Sequence, residues 1–290
     1  MSLSQRVNSN ERRLRSYLPK WYFRIPMNAK IGIGLVIVLT VIALATFAPW
    51  ITPYDPNKSD ISNLMMSPSS AHWFGTDNLG RDILTRILYA SRIDLQIGIV
   101  AVVVPLIVGT IIGLVAGYYG GWINTVIMRL VDIVISFPFM ILIIAIMAIL
   151  GPGLVNMYYA IFLVGWSIYT RIVRAEVLLA KKQEYILAAR SIGFGNGRIM
   201  FRHILPNVIS PAIIFAMSDV VLCILLGASL SFLGLGVQPP TAEWGSMISE
   251  GRNYVFNAWW IAFFPGVAIF ITGLGFCLLG DGLAEKIENR

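Results

Sequence analysis

Residues 184–207 read "EYILAARSIGFGNGRIMFRHILPN" and interrupt a chain otherwise built of long apolar runs. Residues 184–192 have the spacing of a short helix, with Ile186, Ala189 and Ile192 on one side. "GFGNG" at 193–197 breaks it, and Asn-Gly is a strong turn signal. A second short helix is expected over 198–205, with Pro206 ending it just before the next apolar run. Ala188 and Ala189 leave one face almost smooth, so a bulky partner could approach the backbone there, and Arg190, Arg198 and Arg202 rim that face. Two readings fit these residues. One is a helix–turn–helix knob that enters a groove on a partner. The other is a solvated loop whose arginines serve only membrane topology.

Working outward, the chain is 57% hydrophobic and 13% charged, against about 25% charged residues for a soluble domain. Six runs are long enough to cross a hydrocarbon core of about 30 Å, at roughly 31–51, 95–118, 126–150, 154–172, 209–235 and 259–279. The fold class expected is therefore an all-α integral membrane protein with six transmembrane helices. No ten-residue alternating strands occur, which argues against a β-barrel. The first run follows a basic leader and contains Ala43-Leu44-Ala45, which resembles a cleavage site. The run continues to Ile51, so a retained anchor is expected.

The net charge of +7 is concentrated rather than spread. Arg6, Arg12, Arg13, Arg15, Lys20, Arg24 and Lys30 precede the first run. Arg171, Arg174, Lys181, Lys182, Arg190, Arg198 and Arg202 surround the hairpin. With six crossings both groups share a side, and the positive-inside rule makes that side the cytoplasm. This distribution favours a topology signal over nucleic-acid binding. The organisation expected is a cytoplasmic segment 1–30, a first span 31–51, an extracytoplasmic loop 52–94, a core 95–283 holding the hairpin at about 181–208, and a cytoplasmic tail 284–290.

Within the runs, Pro105, Pro138 and Pro211 should bend helices. Gly109, Gly113 and Gly117 recur every four residues, and Gly227, Ala228, Ser229 and Ser231 cluster; both sets permit close helix contact. Arg129 and Asp132 are placed to pair with each other. Asp219 is the one carboxylate deep in a run, open to a helix–helix hydrogen bond, a wet cavity or proton coupling. Cys223 and Cys277 lie in apolar runs without metal or redox spacing, and His72 and His203 have no partner motif. No catalytic, cofactor or metal site is expected. In the loops, Asp77, Arg81 and Asp82 read as a local ion-pair cap or a partner contact. After the Pro239-Pro240 break, 242–252 reads as a short helix that folds back as an outer gate or meets a partner, or else as an interfacial loop anchored by Trp244, with Trp259 and Trp260 in an aromatic belt.

The hairpin resembles the "EAA" loop of ATP-binding cassette importer permeases, keeping Ala188, Ala189, Gly193, Leu205 and Pro206 at that loop's spacing. It departs at Leu187 and His203, while Glu184 is similar to the shifted acid of the peptide-transporter branch. "FGTDNLGRDILTRILYASRIDL" (74–95), "LSFLGLGVQPPTAEWGSMI" (230–248) and "GDGL" (280–283) resemble segments of the C-type permeases of dipeptide, oligopeptide and nickel importers, in the same order. Many of those permeases carry Glu where Gly227 stands, and the usual Asp-Pro ending is missing.

The resemblance implies a type I importer permease, with a MetI-like core and cytoplasmic coupling helices, in a bacterial or archaeal inner membrane. It implies pairing with a homologous permease, two cytoplasmic ATPase subunits carrying ATP and Mg2+, and an extracytoplasmic binding protein that delivers di- or oligopeptides. Nickel, a metallophore or glutathione are alternative cargoes. The coupling residues implied are Glu184, Tyr185, Ala188, Ala189, Arg190, Gly193, Arg198, Leu205 and Pro206. Candidates for the path or gate are Asp219, Gly227, Ser231 and Trp244. The chain carries no G-x-x-x-x-G-K-[ST] run to cradle ATP phosphates. An ion-coupled secondary transporter would need further intramembrane charges and a repeat. A passive channel or an intramembrane enzyme has still less to build on.

Overall fold

The computed structural model describes residues 26–288 and is helical, with Thr76 and Asp82 making a single antiparallel bridge and no strand among the described residues. The leader arginines and Lys20, and the last two residues of the tail, lie outside the described residues. Helix α1 spans Met27–Ile51, α2 Ile83–Tyr119, α3 Gly121–Ser136, α4 Phe139–Leu150 and α5 Leu154–Ala180. Helix α6 is Glu184–Ser191, and α7 is a continuous helical stretch over 196–208. Then follow α8 (Ser210–Phe232), α9 (Trp244–Gly251) and α10 (Trp260–Glu288).

Four helices, α1, α2, α8 and α10, are long and apolar enough to cross a membrane, and a fifth crossing results if α3 and α4 form one broken span. Helices α3 and α4 meet at an 88° bend. The break falls at Phe137-Pro138, because Pro138 has no N–H to continue the ladder. The 27-residue α5 is also long enough, but Asn156, Arg171, Arg174 and Glu176 make it less apolar. Pro105 sits inside the continuous α2, and Pro211 occupies the first turn of α8, where a missing N–H costs nothing.

Helix α2 starts at Ile83, so residues 83–94, expected in a loop, are its first turns. Asp82 caps it, accepting the Thr85 N–H at 2.8 Å. Hydropathy alone hides this extension, since Arg86, Ser91, Arg92 and Asp94 interrupt the apolar run. Arg92 has a specific task. Pro49 in α1 leaves the Ala45 carbonyl without its helical donor, and Arg92 Nε donates to it at 2.7 Å while Nη2 reaches the Thr46 carbonyl at 3.2 Å.

Glycines set the closest helix contacts. Gly109, Gly113 and Gly117 on α2 face Trp166–Val177 of α5, and a Cβ at Gly113 would stand 2.6 Å from the Thr170 carbonyl oxygen. Gly34 of α1 meets Gly275 and Leu279 of α10 in the same way, and Lys30 pairs with Glu285 at the end of that seam. Asp132 pairs with Arg171 of α5 at 2.7 Å rather than with its near neighbour Arg129. The pair is half exposed and links α3 to α5, whereas a pair with Arg129 would stay within one turn of α3. Cys223 is buried and Cys277 is exposed, both as free thiols.

Candidate functional site

The hairpin forms because Gly193 can do what no other residue does cheaply. It stands at φ +86, its N–H donates to the Arg190 carbonyl at 2.9 Å, and the next N–H, of Phe194, reaches back to Ala189 at 3.2 Å. These two bonds are the Schellman close of α6. The turn is therefore 193–195. Asn196-Gly197, read as a turn from sequence, is instead the first turn of α7. A tertiary bond overrides the local signal: the Tyr118 hydroxyl at the end of α2 donates to Asn196 Oδ1 at 2.7 Å.

Pro206 does not end α7. It lies within the stretch, after a wide π-helical turn over Ile199–Ile204 in which the Leu205 N–H reaches the Met200 carbonyl, five residues back. Widening the ladder makes room for a ring that would clash in an ordinary α-turn. Leu205 is half-buried and Pro206 is exposed.

One side of the hairpin is locked to the bundle. Ile186, Ala189, Ile199 and Ile204 are buried, the Arg190 guanidinium lies 5.3 Å from the Tyr118 ring centroid, and Lys181 Nζ donates to the Gly117 carbonyl at 2.7 Å. Burial, and then the charges of Arg190, Lys182 and Arg174, pull the Lys181 ammonium down. Arg198 covers the Phe194 ring at 4.1 Å, and Phe194 stacks on His203. The opposite side is open: Glu184, Tyr185, Leu187, Ala188, Ile192 and Phe201 are exposed. Ile192, expected beside Ile186 and Ala189, is 72% exposed, because the helix closes before its side chain reaches the core. Of the smooth Ala188–Ala189 pair, only Ala188 remains available to a partner.

The four path candidates lie on α8 and at the start of α9, where Ser231 reaches Glu243, the residue before Trp244. Asp219 Oδ2 accepts the Tyr169 hydroxyl at 2.7 Å, a bond between α8 and α5. Gly227 packs on Ile97 and Met157, where a Cβ would come within 3.0 Å of Ile97 Cγ2. The buried Ser231 hydroxyl accepts the Val237 N–H at 3.1 Å and brackets the following loop.

Trp244 is 1% exposed, so it is no interfacial anchor. Its indole N–H donates to the Ile87 carbonyl at 3.2 Å and its backbone N–H to Asp94 at 3.1 Å. The loop folds back as α9, capped by Glu243, whose carboxylate accepts the Gly245 and Ser246 N–H groups.

Beside α9 a buried charge network joins the two long loops. Arg81 pairs with Asp77 at 2.6 Å and with Glu250 at 2.7 Å; Arg86 approaches the same two carboxylates at 3.6 and 3.4 Å. Asp82 serves the α2 cap and also contacts His72 Nδ1 at 2.9 Å. The Asp77/Arg81/Asp82 group is thus a structural cap. Sequence spacing did not disclose the partners His72 and Glu250, because a ten-residue loop and a second loop bring them in.

Comparison with known proteins places these elements in a family. Residues 109–290, which include the hairpin and α9, match the model of the binding-protein-dependent transport system inner membrane component. Residues 32–68 match the N-terminal TM domain of oligopeptide transport permease C. A dipeptide transport system permease protein of Alkalihalophilus pseudofirmus is 46% identical over 89% of this chain and 85% of its own length. A probable D,D-dipeptide transport system permease protein of Escherichia coli is 40% identical over 88% and 86%. A glutathione transport system permease protein of Pectobacterium atrosepticum is 44% identical over 93% and 90%. With a matched family model over more than half its length and relatives at 40–46% identity over most of the chain, the chain belongs to the binding-protein-dependent inner-membrane permeases, in their dipeptide and oligopeptide branch.

Proposed function

We propose that this chain is one of two transmembrane subunits of an ATP-driven importer that carries di- or oligopeptides delivered by an extracytoplasmic binding protein. Glutathione is the alternative cargo. The relatives named for dipeptide and glutathione transport support this cargo class. In this reading the chain crosses the membrane six times, counting α5 and the broken α3–α4 pair, and both ends lie in the cytoplasm. The hairpin receives a cytoplasmic ATPase, and a homologous permease brings the second hairpin. ATP is hydrolysed on those partners, not on this chain.

The observation that carries the proposal is the two-sidedness of the hairpin. One face is held on the bundle by Ile186, Ala189 and the Tyr118–Asn196 bond, while Tyr185, Leu187, Ala188 and Ile192 stand free. A lever needs one face fixed to its load and one open to its motor, and a groove on a partner suits such a helical knob. Motion of the ATPases would reach α5 and α8 through Glu184–Pro206 as a rigid body.

The test uses the assembled transporter with Cys223 and Cys277 replaced by Ala and Ala188→Cys added. A short bifunctional cross-linker is expected to join this chain to an ATPase subunit, and Leu163→Cys, on a spanning helix, is not. In cells lacking other peptide importers, the complex is expected to restore uptake of a labelled dipeptide. Restoration of glutathione uptake alone would reassign the cargo. Absence of any ATPase cross-link from the hairpin would remove the coupling role.

A further inference from the structure

Asp94 on α2 and Glu243 at the start of α9 are both completely buried. Their carboxyls are in hydrogen-bonding contact with each other. Among the described residues, neither carboxyl lies within ion-pair distance of a Lys, Arg or His. The neighbouring charges are otherwise engaged. Arg81 and Arg86 hold Asp77 and Glu250, and Arg92, on the opposite side of α2, serves the α1 carbonyls. From α8 comes the Ser231 hydroxyl and from α9 the Ser246 hydroxyl, neither of them charged. Asp219 of α8 is occupied by Tyr169. The charged groups of α10, Asp281, Glu285, Lys286 and Glu288, lie at its far end.

Two carboxylates in dry contact cannot both be ionised. The hydrogen bonds decide which one keeps the proton. Glu243 accepts two backbone N–H groups at the positive end of α9, at 2.8 and 2.7 Å, an arrangement that favours its charged form. Asp94 Oδ2 accepts the Trp244 N–H, but Asp94 Oδ1 is buried with no donor facing it. An oxygen in that position is satisfied if it carries a hydrogen and donates. We infer that Asp94 and Glu243 share one bound proton, carried on Asp94 Oδ1 and donated to the Glu243 carboxylate, and that this proton latches α9 onto α2. Removing it leaves two negative charges facing each other at the one point where both carboxyls hold the first turn of α9. Trp244 and Met247, each buried beneath that turn, then lose their cover. The outer helix is released as pH rises, independently of any ATPase or cargo.

The experiment uses the full-length chain in lipid nanodiscs. Infrared difference spectra are expected to show a protonated-carboxyl C=O band at neutral pH that disappears at alkaline pH. The band should be missing in Asp94→Asn and retained in both Asp219→Asn and Glu243→Gln. If it survives Asp94→Asn, or is lost only in Glu243→Gln, the assignment is wrong. A second measurement needs no change at the pair. In a background with Cys223 and Cys277 replaced by Ala, the alkylation rate of Met247→Cys is taken relative to that of the fully exposed Phe256→Cys. The ratio should rise several-fold from neutral to alkaline pH, and a flat ratio would overturn the latch. Failure of either result leaves the transport assignment untouched, because neither readout involves transport.

Discussion

The Tyr118 hydroxyl donates to Asn196 Oδ1 at 2.7 Å, joining the end of the longest helix to the first turn of α7. It ties the bundle to the hairpin, beside the Lys181–Gly117 bond and the Arg190–Tyr118 contact. Tyr118→Phe keeps the ring under Arg190 and removes only this tie. A lost hydrogen bond of this kind costs about 1 kcal/mol. The expected result is a small drop in thermal stability together with faster proteolytic nicking near Gly195 and less peptide transported per ATP hydrolysed. Uptake and hydrolysis falling in parallel would mean that the bond serves stability alone.

Gly193 offers a sharper cut. Its φ of +86 lies outside the range of proline, whose ring fixes φ near −65°, and Gly193→Pro also removes the N–H that closes α6 on Arg190. The hairpin should lose its corner while the spans remain. Membrane insertion is expected to be normal, peptide uptake abolished, and hydrolysis by the isolated ATPases unchanged. Gly193→Ala is milder, a left-handed alanine costing about 1 kcal/mol. Its uptake should be reduced but measurable.

How much of this was visible in the sequence depended on whether the cause was local. Run length is a local property, so the apolar helices α1, α2, α8 and α10 and the close-packing role of Gly109, Gly113 and Gly117 could be read directly. Residues 83–94 could not, because their polar side chains are helical only by virtue of distant partners, such as the Ala45 carbonyl for Arg92. Asn196-Gly197 misled for the same reason: a turn signal lost to a hydroxyl from Tyr118. Pro206 misled because a π turn absorbs it. The hydrogen-bond partners of Trp244 and Ser231, namely Ile87, Asp94 and Val237, are set by the fold and not by spacing, and they tie both residues to the loop between α8 and α9.

The glycine seam can be tested by sign as well as size. At Gly113 an added Cβ meets the Thr170 carbonyl oxygen at 2.6 Å, backbone against backbone, so α2 and α5 must separate. Gly113→Ala should cost about 1–3 kcal/mol, the usual range for overpacking. At Gly197 a Cβ meets nothing within 4 Å and the residue is helical, so Gly197→Ala should stabilise by about 0.4–1 kcal/mol. Thermal unfolding in one detergent gives both values, and a shared sign would contradict the packing.

Asp219 separates ATP-driven from proton-driven transport. Its carboxylate accepts from Tyr169 across α8 and α5, a bond that an amide oxygen can also make. Asp219→Asn should therefore keep both stability and the pH profile of uptake. Asp219→Leu leaves the Tyr169 hydroxyl without its acceptor, at about 1–3 kcal/mol. Loss of uptake in the Asn variant of a stable complex would return the residue to the transport chemistry.

The loop network gives the largest expected effect. Asp77, Arg81 and Arg86 are almost wholly buried, and Arg81 holds Asp77 and Glu250 at once. Removing one partner of a buried pair typically costs 3–5 kcal/mol, because the charge left behind stays out of water. Arg81→Met strands Asp77 with only Arg86, whose Nε stands 3.6 Å away, so the loss should fall near the lower end, about 3 kcal/mol. Glu250→Gln should cost less, since that side chain is 22% exposed and water can take over part of its role. Arg81→Met combined with Asp77→Leu removes both charges and should recover part of the loss, although Glu250 still lacks its closer cation. A double-mutant cycle on thermal stability reads the Asp77–Arg81 coupling directly, and additive losses would mean that the two side chains act separately.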